Sequence, residues 1–265
     1  MLNFASHELD DWRETNQTFE QFPAPSKKKI ETVKILADKI VIPVVSAEIA
    51  RPRLSAHLKK SLRNFSATLV TGRAGTGKTA FAADFIRQNA YSAAWYKADT
   101  TDTDWKVFLQ YLSESLRPYK SEAVTEAGEN KQSTNAESQS VTESLAAQFA
   151  VLDTEKPLLV VLDDLHSVFD ADWFGEFFNG LLSLPAPNVR LLLLARAAPS
   201  FPLWRLRSKQ VLDVMDEKLM AFTLEETIKL FQKYKLPRKA ARLAHKRAYG
   251  RIAKLKEVAG NTKSG

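Results

Sequence analysis

Ala67-Thr68-Leu69-Val70-Thr71 runs directly into Gly72-Arg73-Ala74-Gly75-Thr76-Gly77-Lys78-Thr79-Ala80, and this stretch decides the fold. The first five residues form a short apolar run before a glycine cluster and read as a buried strand. Residues 72–79 match G-x-x-x-x-G-K-[ST], and a helix is expected from Lys78 to about Asn89. Strand, glycine-rich turn and helix form the context in which this motif cradles phosphate. The glycines let backbone N–H groups curl around an anion, and the helix N-terminus adds positive potential. Lys78 would reach the β- and γ-phosphates, and Thr79 would offer its hydroxyl to Mg²⁺. Gly72 to Ala80 are therefore the candidate nucleotide-binding residues.

Two more strand ends bear on the same chemistry. Pro157 to Asp164 (PLLVVLDD) reads as an apolar strand closed by two acids. Asp163 there can hold Mg²⁺, usually through water, and Asp164 can orient an attacking water. Either acid could instead cap the next segment, a role that leaves metal binding open. Asn188 to Arg196 (NVRLLLLAR) is a further buried strand. An Arg at its carboxyl end points into the ligand crevice of a parallel sheet and could read the γ-phosphate. The competing reading of Arg196 is a salt bridge to Asp163 or Asp164. The candidate catalytic residues are thus Lys78, Asp164 and Arg196, and the candidate metal ligands are Thr79 and Asp163. Asp99, Asp102 and Asp104, after the strand Ser92–Lys97, either face this crevice or are solvated loop acids. His166 reads as packing or capping, and the Trp173–Phe178 stripe as core.

Near-continuous apolar strands alternate with amphipathic helices, the pattern of a parallel sheet covered on both faces. The helices include Arg53–Arg63, with Leu54, Leu58 and Leu62 in phase, and a segment with Trp105, Phe108, Leu109, Leu112 and Leu116 in phase. Thr223 and Glu226 form a capping box before another helix, and Pro237 opens a further one. Residues 1–45 read as a polar arm, 46–220 as the nucleotide-binding domain and 221–265 as a basic helical segment. A polar stretch at about 119–140 reads as a mobile loop.

The 265 residues are 45% hydrophobic and 26% charged, an ordinary globular composition able to bury roughly three-quarters of its unfolded surface. No apolar run is long enough for a membrane span, and Met1–Asp10 lacks a signal-peptide pattern, so the expectation is cytoplasmic. The absence of cysteine excludes disulfide scaffolds and thiolate chemistry. The four histidines show no metal-ligand spacing. The net charge of +7 is unevenly placed. From Gln232 to Gly265 there are eleven Lys/Arg and one acid, Glu257, a net +10, so the rest of the chain sums to −3. That basic segment is either a solvated face or a surface for phosphates or acidic partners.

The residues also resemble a known family: the ATPase module of the MalT-like (LuxR-type, large ATP-binding) transcription regulators, within the signal-transduction ATPases with numerous domains. The resemblance runs in order from about Ile42 to about Leu255. Beyond the phosphate loop it rests on Trp95-Tyr96-Lys97-Ala98-Asp99, Val161-Leu162-Asp163-Asp164-Leu165-His166, Leu194-Ala195-Arg196, Phe222-Thr223-Leu224-Glu225-Glu226 and Gly250-Arg251-Ile252-Ala253. It implies a P-loop NTPase, a three-layer α/β/α fold with a five-strand parallel sheet. In it the Asp163 strand is not adjacent to the phosphate-loop strand. It further implies a switch that rests with ADP, exchanges it for ATP, self-associates and slowly hydrolyses ATP. Lys254 departs from the family's usual glycine. The family's sensor and helix-turn-helix domains are not in this sequence, so docking onto a full-length regulator is an expected alternative role. A nucleic-acid-associated ATPase using the basic segment is another.

Overall fold

The structure, a computed structural model, describes residues 35–45, 47–121, 140–152, 157–184 and 188–263, with side chains to 261. Most of the expected N-terminal arm (residues 1–34) and most of the expected loop (122–139) lie outside the described residues.

The strands are β1 (Ala67–Thr71), β2 (Ser92–Lys97), β3 (Leu158–Asp163), β4 (Val189–Ala195) and β5 (Leu212–Met215). They form one sheet in the order β2-β3-β4-β1-β5, every neighbouring pair parallel. β4 separates β1 from β3, as the resemblance implies. β1 and β3 are buried along their whole length, which is why their sequences are apolar runs rather than alternations.

The helices, in chain order, are α1 (Ala37–Ile40), α2 (Pro52–Asn64), α3 (Lys78–Asn89), α4 (Trp105–Leu116), α5 (Val141–Ala150), α6 (Phe174–Ser183), α7 (Trp204–Ser208), α8 (Glu217–Met220), α9 (Leu224–Lys233), α10 (Arg238–Ala248) and α11 (Ile252–Lys263). Leu54, Leu58 and Leu62 of α2 pack with Phe81 and Phe85 of α3 against Val70, Trp95, Leu192 and Leu194. Successive strand residues face opposite sides, so Tyr96 points to the other layer. There its ring lies 4.9 Å from Phe108 of α4, which in turn lies 4.9 Å from Phe177 of α6. The Trp173–Phe178 stripe is therefore core, as its spacing predicts. Among the described residues no helix is long and apolar enough to cross a membrane.

The described margins of the two expected polar regions are packed. Lys39 of α1 is buried and pairs with Asp102 at 2.8 Å and Asp99 at 2.8 Å. The Tyr119 hydroxyl donates to the carbonyl of Ala93 at 2.9 Å, and Ser121 N–H to Val151 at 2.9 Å.

α9, α10 and α11 share a second core of Leu230, Phe231, Ala241, Ala244, Ala248 and Leu255. The capping box of Thr223 and Glu226 forms as expected, while Pro237 is the cap residue before α10 rather than its first turn. Glu226 also accepts from Arg51 at 3.1 Å and Arg53 at 3.1 Å. Arg51 further donates to the carbonyls of Met220 and Ala221. Burial opposes ionisation of Glu226, but the hydrogen bonds from Arg53 and Thr223 and the charge of Arg51 hold its pKa below the usual carboxylate range. Removing one partner of a buried charge network strands the other. Glu226→Gln is therefore expected to lower unfolding free energy by about 3 kcal/mol in urea titrations. A loss under about 1 kcal/mol would mean that the two carbonyls alone satisfy Arg51.

Candidate functional site

Because the strands are parallel, their carboxyl ends meet along one edge of the sheet, and the chain leaves each through a loop there. β1 delivers Gly72 to that edge, where its N–H extends the ladder to Ala195 of β4 at 3.3 Å. The loop then curls through positive φ at Gly75 (+77°) and Gly77 (+89°), a region that side chains disfavour. Gly77 precedes α3 with no side chain capping the helix, so the first N–H groups of α3 face the loop without an intrahelical partner. Thr76 Oγ1 donates back to the Arg73 carbonyl at 2.9 Å and tightens the turn.

Lys78 lies 7% exposed, and its ammonium donates to the Gly72 carbonyl at 2.5 Å. Burial lowers its pKa, while Asp164 and Asp163 act in the opposite sense. Thr79 Oγ1 reaches both oxygens of Asp163, at 3.1 and 3.0 Å. Residues 84 positions apart are thus joined at the junction of the phosphate loop and β3. Thr79 and Asp163 could hold one hard cation together. Among the described residues no group of three or more His, Cys, Asp or Glu could do so. That donor set suits Mg²⁺, which is commonly bound by one or two carboxylates with phosphates and waters completing the shell.

Asp163 is fully buried. Its pKa is pushed up to about 6 by burial and the neighbouring Asp164 charge, against the Thr79 hydrogen bond. Asp164 follows at φ +52°, a left-handed position for a non-glycine residue, and its N–H donates to Asp163 Oδ1 at 2.9 Å. That turn aims its carboxylate away from the strand, 3.9 Å from Lys97 and 3.8 Å from His166. Asp164 stands at the N-cap position of the 3₁₀ turn Leu165–Val168 that follows, but its side chain makes no capping hydrogen bond, so the carboxylate is not spent on a cap. Arg196 is exposed just past β4; burial lowers the pKa of Lys78 and of His166, and the Arg196 charge adds to both shifts. Among the described residues Asp164 pairs with Lys97 and lies against His166, whose imidazole burial holds toward its neutral form, and no ion pair joins Arg196 to Asp163 or Asp164, so the expected alternative of an Arg196 salt bridge is not what forms. Asp102 and Asp99 are committed to Lys39, and Asp104 caps α4 through Lys106 N–H. Those three acids are structural.

Sequence reasoning assigned nothing to the base side of the loop. A cavity of about 250 Å³ opens beside Gly75, Gly77 and Ala80. Ile49 before α2, Phe81 and Phe85 of α3, Phe222 before α9, and Ile252 and Ala253 of α11 line it. Its walls come from four separate segments, so no contiguous motif announces it. The matching of Gly250-Arg251-Ile252-Ala253 to the family was the one local signal. Ala253 N–H donates to the Gly75 carbonyl at 3.1 Å and Arg251 to the Ala74 carbonyl at 3.0 Å. Arg73 pairs with Glu217 of α8 at 2.8 Å.

The profile of the AAA ATPase domain matches residues 48–227. The chain belongs to the AAA ATPase domain family. Among curated proteins this AAA ATPase domain is similar to the HTH-type transcriptional regulator MalT of Vibrio campbellii, 27% identical over 186 residues, or 69% of the chain. It is likewise similar to MalT of Yersinia pestis, 26% identical over 204 residues, or 75% of the chain. The resemblance to MalT-like regulators therefore holds across most of the sequence. The chain spans only about a fifth of the length of these relatives, 20% and 22%. Among solved structures, the signal-transduction ATPase with a tetratricopeptide repeat sensor from Pyrococcus horikoshii superimposes with a TM-score of 0.52 at 17% identity. It covers 80% of this chain and 30% of that one. The Walker-type ATPase of Pyrococcus abyssi gives 0.50 at 14% identity, covering 81% and 69%. Both share the fold.

The elevated Asp163 pKa has a testable sign. The group favours the folded state only while protonated: its contribution is present below the unfolded value near 3.8 and is lost as pH rises through about 6. With EDTA present, Asp163→Asn cannot ionise and escapes that loss. Urea unfolding at pH 7.5 should show the variant more stable than the native chain by on the order of 2 kcal/mol. The difference should vanish near pH 4. A variant less stable at both pH values would contradict the account.

Proposed function

We propose that this AAA ATPase domain binds ATP and ADP with Mg²⁺, hydrolyses ATP slowly, and serves as the nucleotide-dependent switch of a MalT-like transcriptional regulator. The contact of Thr79 with Asp163, beside the desolvated Lys78 at the mouth of Gly72–Thr79, carries this reading. It is the arrangement a triphosphate with its metal requires. Phosphates would lie against the loop N–H groups and the first turn of α3, with Lys78 pairing the terminal oxygens. Thr79 and Asp163 would hold Mg²⁺, which neutralises phosphate charge when bound. Asp164 would hold the attacking water in line and accept its proton, and Arg196 would distinguish ATP from ADP at the γ-position. The cavity beside Ala80 presents Ile49, Phe81 and Ile252 as apolar walls with Glu48, Arg51, Asp84 and Lys256 among its other lining residues, a mix that would suit a base with polar edges.

The switch role draws on the relatives, whose printed name is that of a transcriptional regulator. It also draws on the hydrogen bonds that tie Ala74 and Gly75 to Arg251 and Ala253. Filling the loop with phosphate changes the very segment on which the C-terminal helices rest. Self-association or docking onto a full-length regulator would then read the bound nucleotide.

Calorimetric titration with Mg·ATP and Mg·ADP tests the binding. Lys78→Ala should weaken both nucleotides at least about 100-fold, because a buried point charge on phosphate is lost. Asp164→Asn should retain binding while phosphate release falls by about 100-fold. Unchanged affinity in Lys78→Ala would defeat the proposal. Turnover stimulated several-fold by DNA or RNA would favour a nucleic-acid-driven ATPase instead.

A further inference from the structure

The helix α10 presents a surface that the nucleotide site does not use. Its eleven residues, Arg238 to Ala248, bury Ala241, Ala244 and Ala248 against the neighbouring helices. Arg238, Lys239, Arg242, Leu243, Lys246 and Arg247 are exposed. At 100° per residue these six fall on one half of the helix cylinder and the three alanines on the other. Arg238, Arg242 and Lys246 stand in one row, each about 6 Å further along the axis. There is no acid anywhere on α10. Lys233 and Lys256 nearby are already spent on Glu48, at 3.2 and 2.7 Å.

Five cations crowded on a half-cylinder repel one another, so the face costs stability unless something anionic meets it. Protein interfaces are depleted of lysine and built around a buried apolar or aromatic centre. Here a single apolar side chain, Leu243, sits among five charges. A single-stranded nucleic acid calls for a succession of aromatic rings on which bases stack, and this face offers one ring at its end, the exposed Tyr249 that caps α10. A duplex backbone, with one negative charge per about 1.7 Å of axis, matches a closely spaced row of cations without asking for either feature.

We propose that the exposed face of α10 docks on the phosphate backbone of duplex DNA, without base selection, through Arg238, Arg242 and Lys246 flanked by Lys239 and Arg247. The contact is electrostatic and independent of the nucleotide site. Each phosphate neutralised contributes about −0.9 to the slope of log K against log salt. Five contacts therefore give a slope of about −4.5.

The experiment is fluorescence anisotropy of a labelled 25-base-pair duplex of random sequence, titrated with the full chain between 20 and 200 mM KCl. The triple variant Arg238→Gln/Arg242→Gln/Lys246→Gln should lose at least tenfold in affinity at 50 mM KCl. Its salt slope should become shallower by about 2.7. Its unfolding midpoint should not fall, because all three side chains are exposed and their loss relieves repulsion on the face. The control Lys229→Gln/Lys254→Gln removes exposed charges from α9 and α11 and should leave both the affinity and the slope near the native values. The proposal is overturned if the native chain does not bind at 20 mM KCl, or if the control loses as much per charge as the triple variant. It is equally overturned if poly-glutamate displaces the duplex as well as unlabelled DNA does, which would point to an acidic protein partner.

Discussion

The parallel pairing of β1 between β4 and β5 is the constraint on which everything at the site depends. Parallel strands cannot be joined by tight turns, so each must be followed by a helix that carries the chain back. Every strand then ends on the same edge. With β1 registered to β4 from Ala67–Leu191 to Thr71–Ala195, Gly72 and Arg196 leave the sheet side by side. With β2 registered to β3 up to Lys97–Asp163, the two acids emerge beside Lys97. No side-chain interaction needs to bring these groups together; the ladder does so, and the burial of β1 and β3 makes the ladder hard to shift. In a buried sheet every displaced N–H or C=O would lose its partner in a place water cannot reach.

The same burial creates the electrostatic cost of the site. Asp163 gives up its hydration entirely and sits one residue from another carboxylate. Lys78 loses most of its own hydration and settles on a backbone carbonyl. Neither arrangement is one that stability alone would select. An apolar residue at Asp163 and a shorter side chain at Lys78 would fold with less desolvation. Charges held this way would be relieved by a ligand of opposite charge, and under the proposed function that is a triphosphate for the lysine and a divalent cation for the acid. The backbone of Asp164 at φ +52° belongs to the same pattern, since it turns the second carboxylate out of the strand line.

Much of this could be read in the sequence because its signals are contiguous. The loop Gly72–Thr79, the run Leu158–Asp164 and the apolar stretch ending at Arg196 each lie within ten residues, and local chemistry fixes what each can do. The helical stripes were legible for the same reason, since Leu54, Leu58 and Leu62 repeat at the spacing that one buried face demands. What could not be read were the long-range pairs. Asp102 looks like a solvated loop acid until Lys39, 63 residues earlier, is seen to bury itself against it. Glu226 announces a capping box, but nothing nearby says that Arg51, 175 residues away, will share its carboxylate. The cavity beside Ala80 takes walls from four such separate segments. Arg196 marks the other limit: its place at a strand end was clear, but the choice between a free side chain and an ion pair rests on where Lys97 and His166 stand.

The glycines of the phosphate loop answer to two masters. Gly75 and Gly77 supply the positive φ that lets the loop curl, but conformation is not their sole requirement. A Cβ on Gly75 would come within 2.6 Å of the Ala253 Cβ, and one on Gly77 within 3.3 Å of Ile252. The C-terminal helices therefore lie on the loop at backbone distance, held by the Ala253–Gly75 and Arg251–Ala74 hydrogen bonds. A loop so covered on its outer side cannot rearrange around a phosphate without disturbing what covers it. Because the N-terminus of α11 and the turn at Gly250 are the covering elements, α9 to α11 are mechanically joined to the nucleotide loop through a few atoms. If the loop takes phosphate as proposed, that contact needs no hinge elsewhere to pass the change on, because the absence of side chains at Gly75 and Gly77 is what lets α11 lie so close.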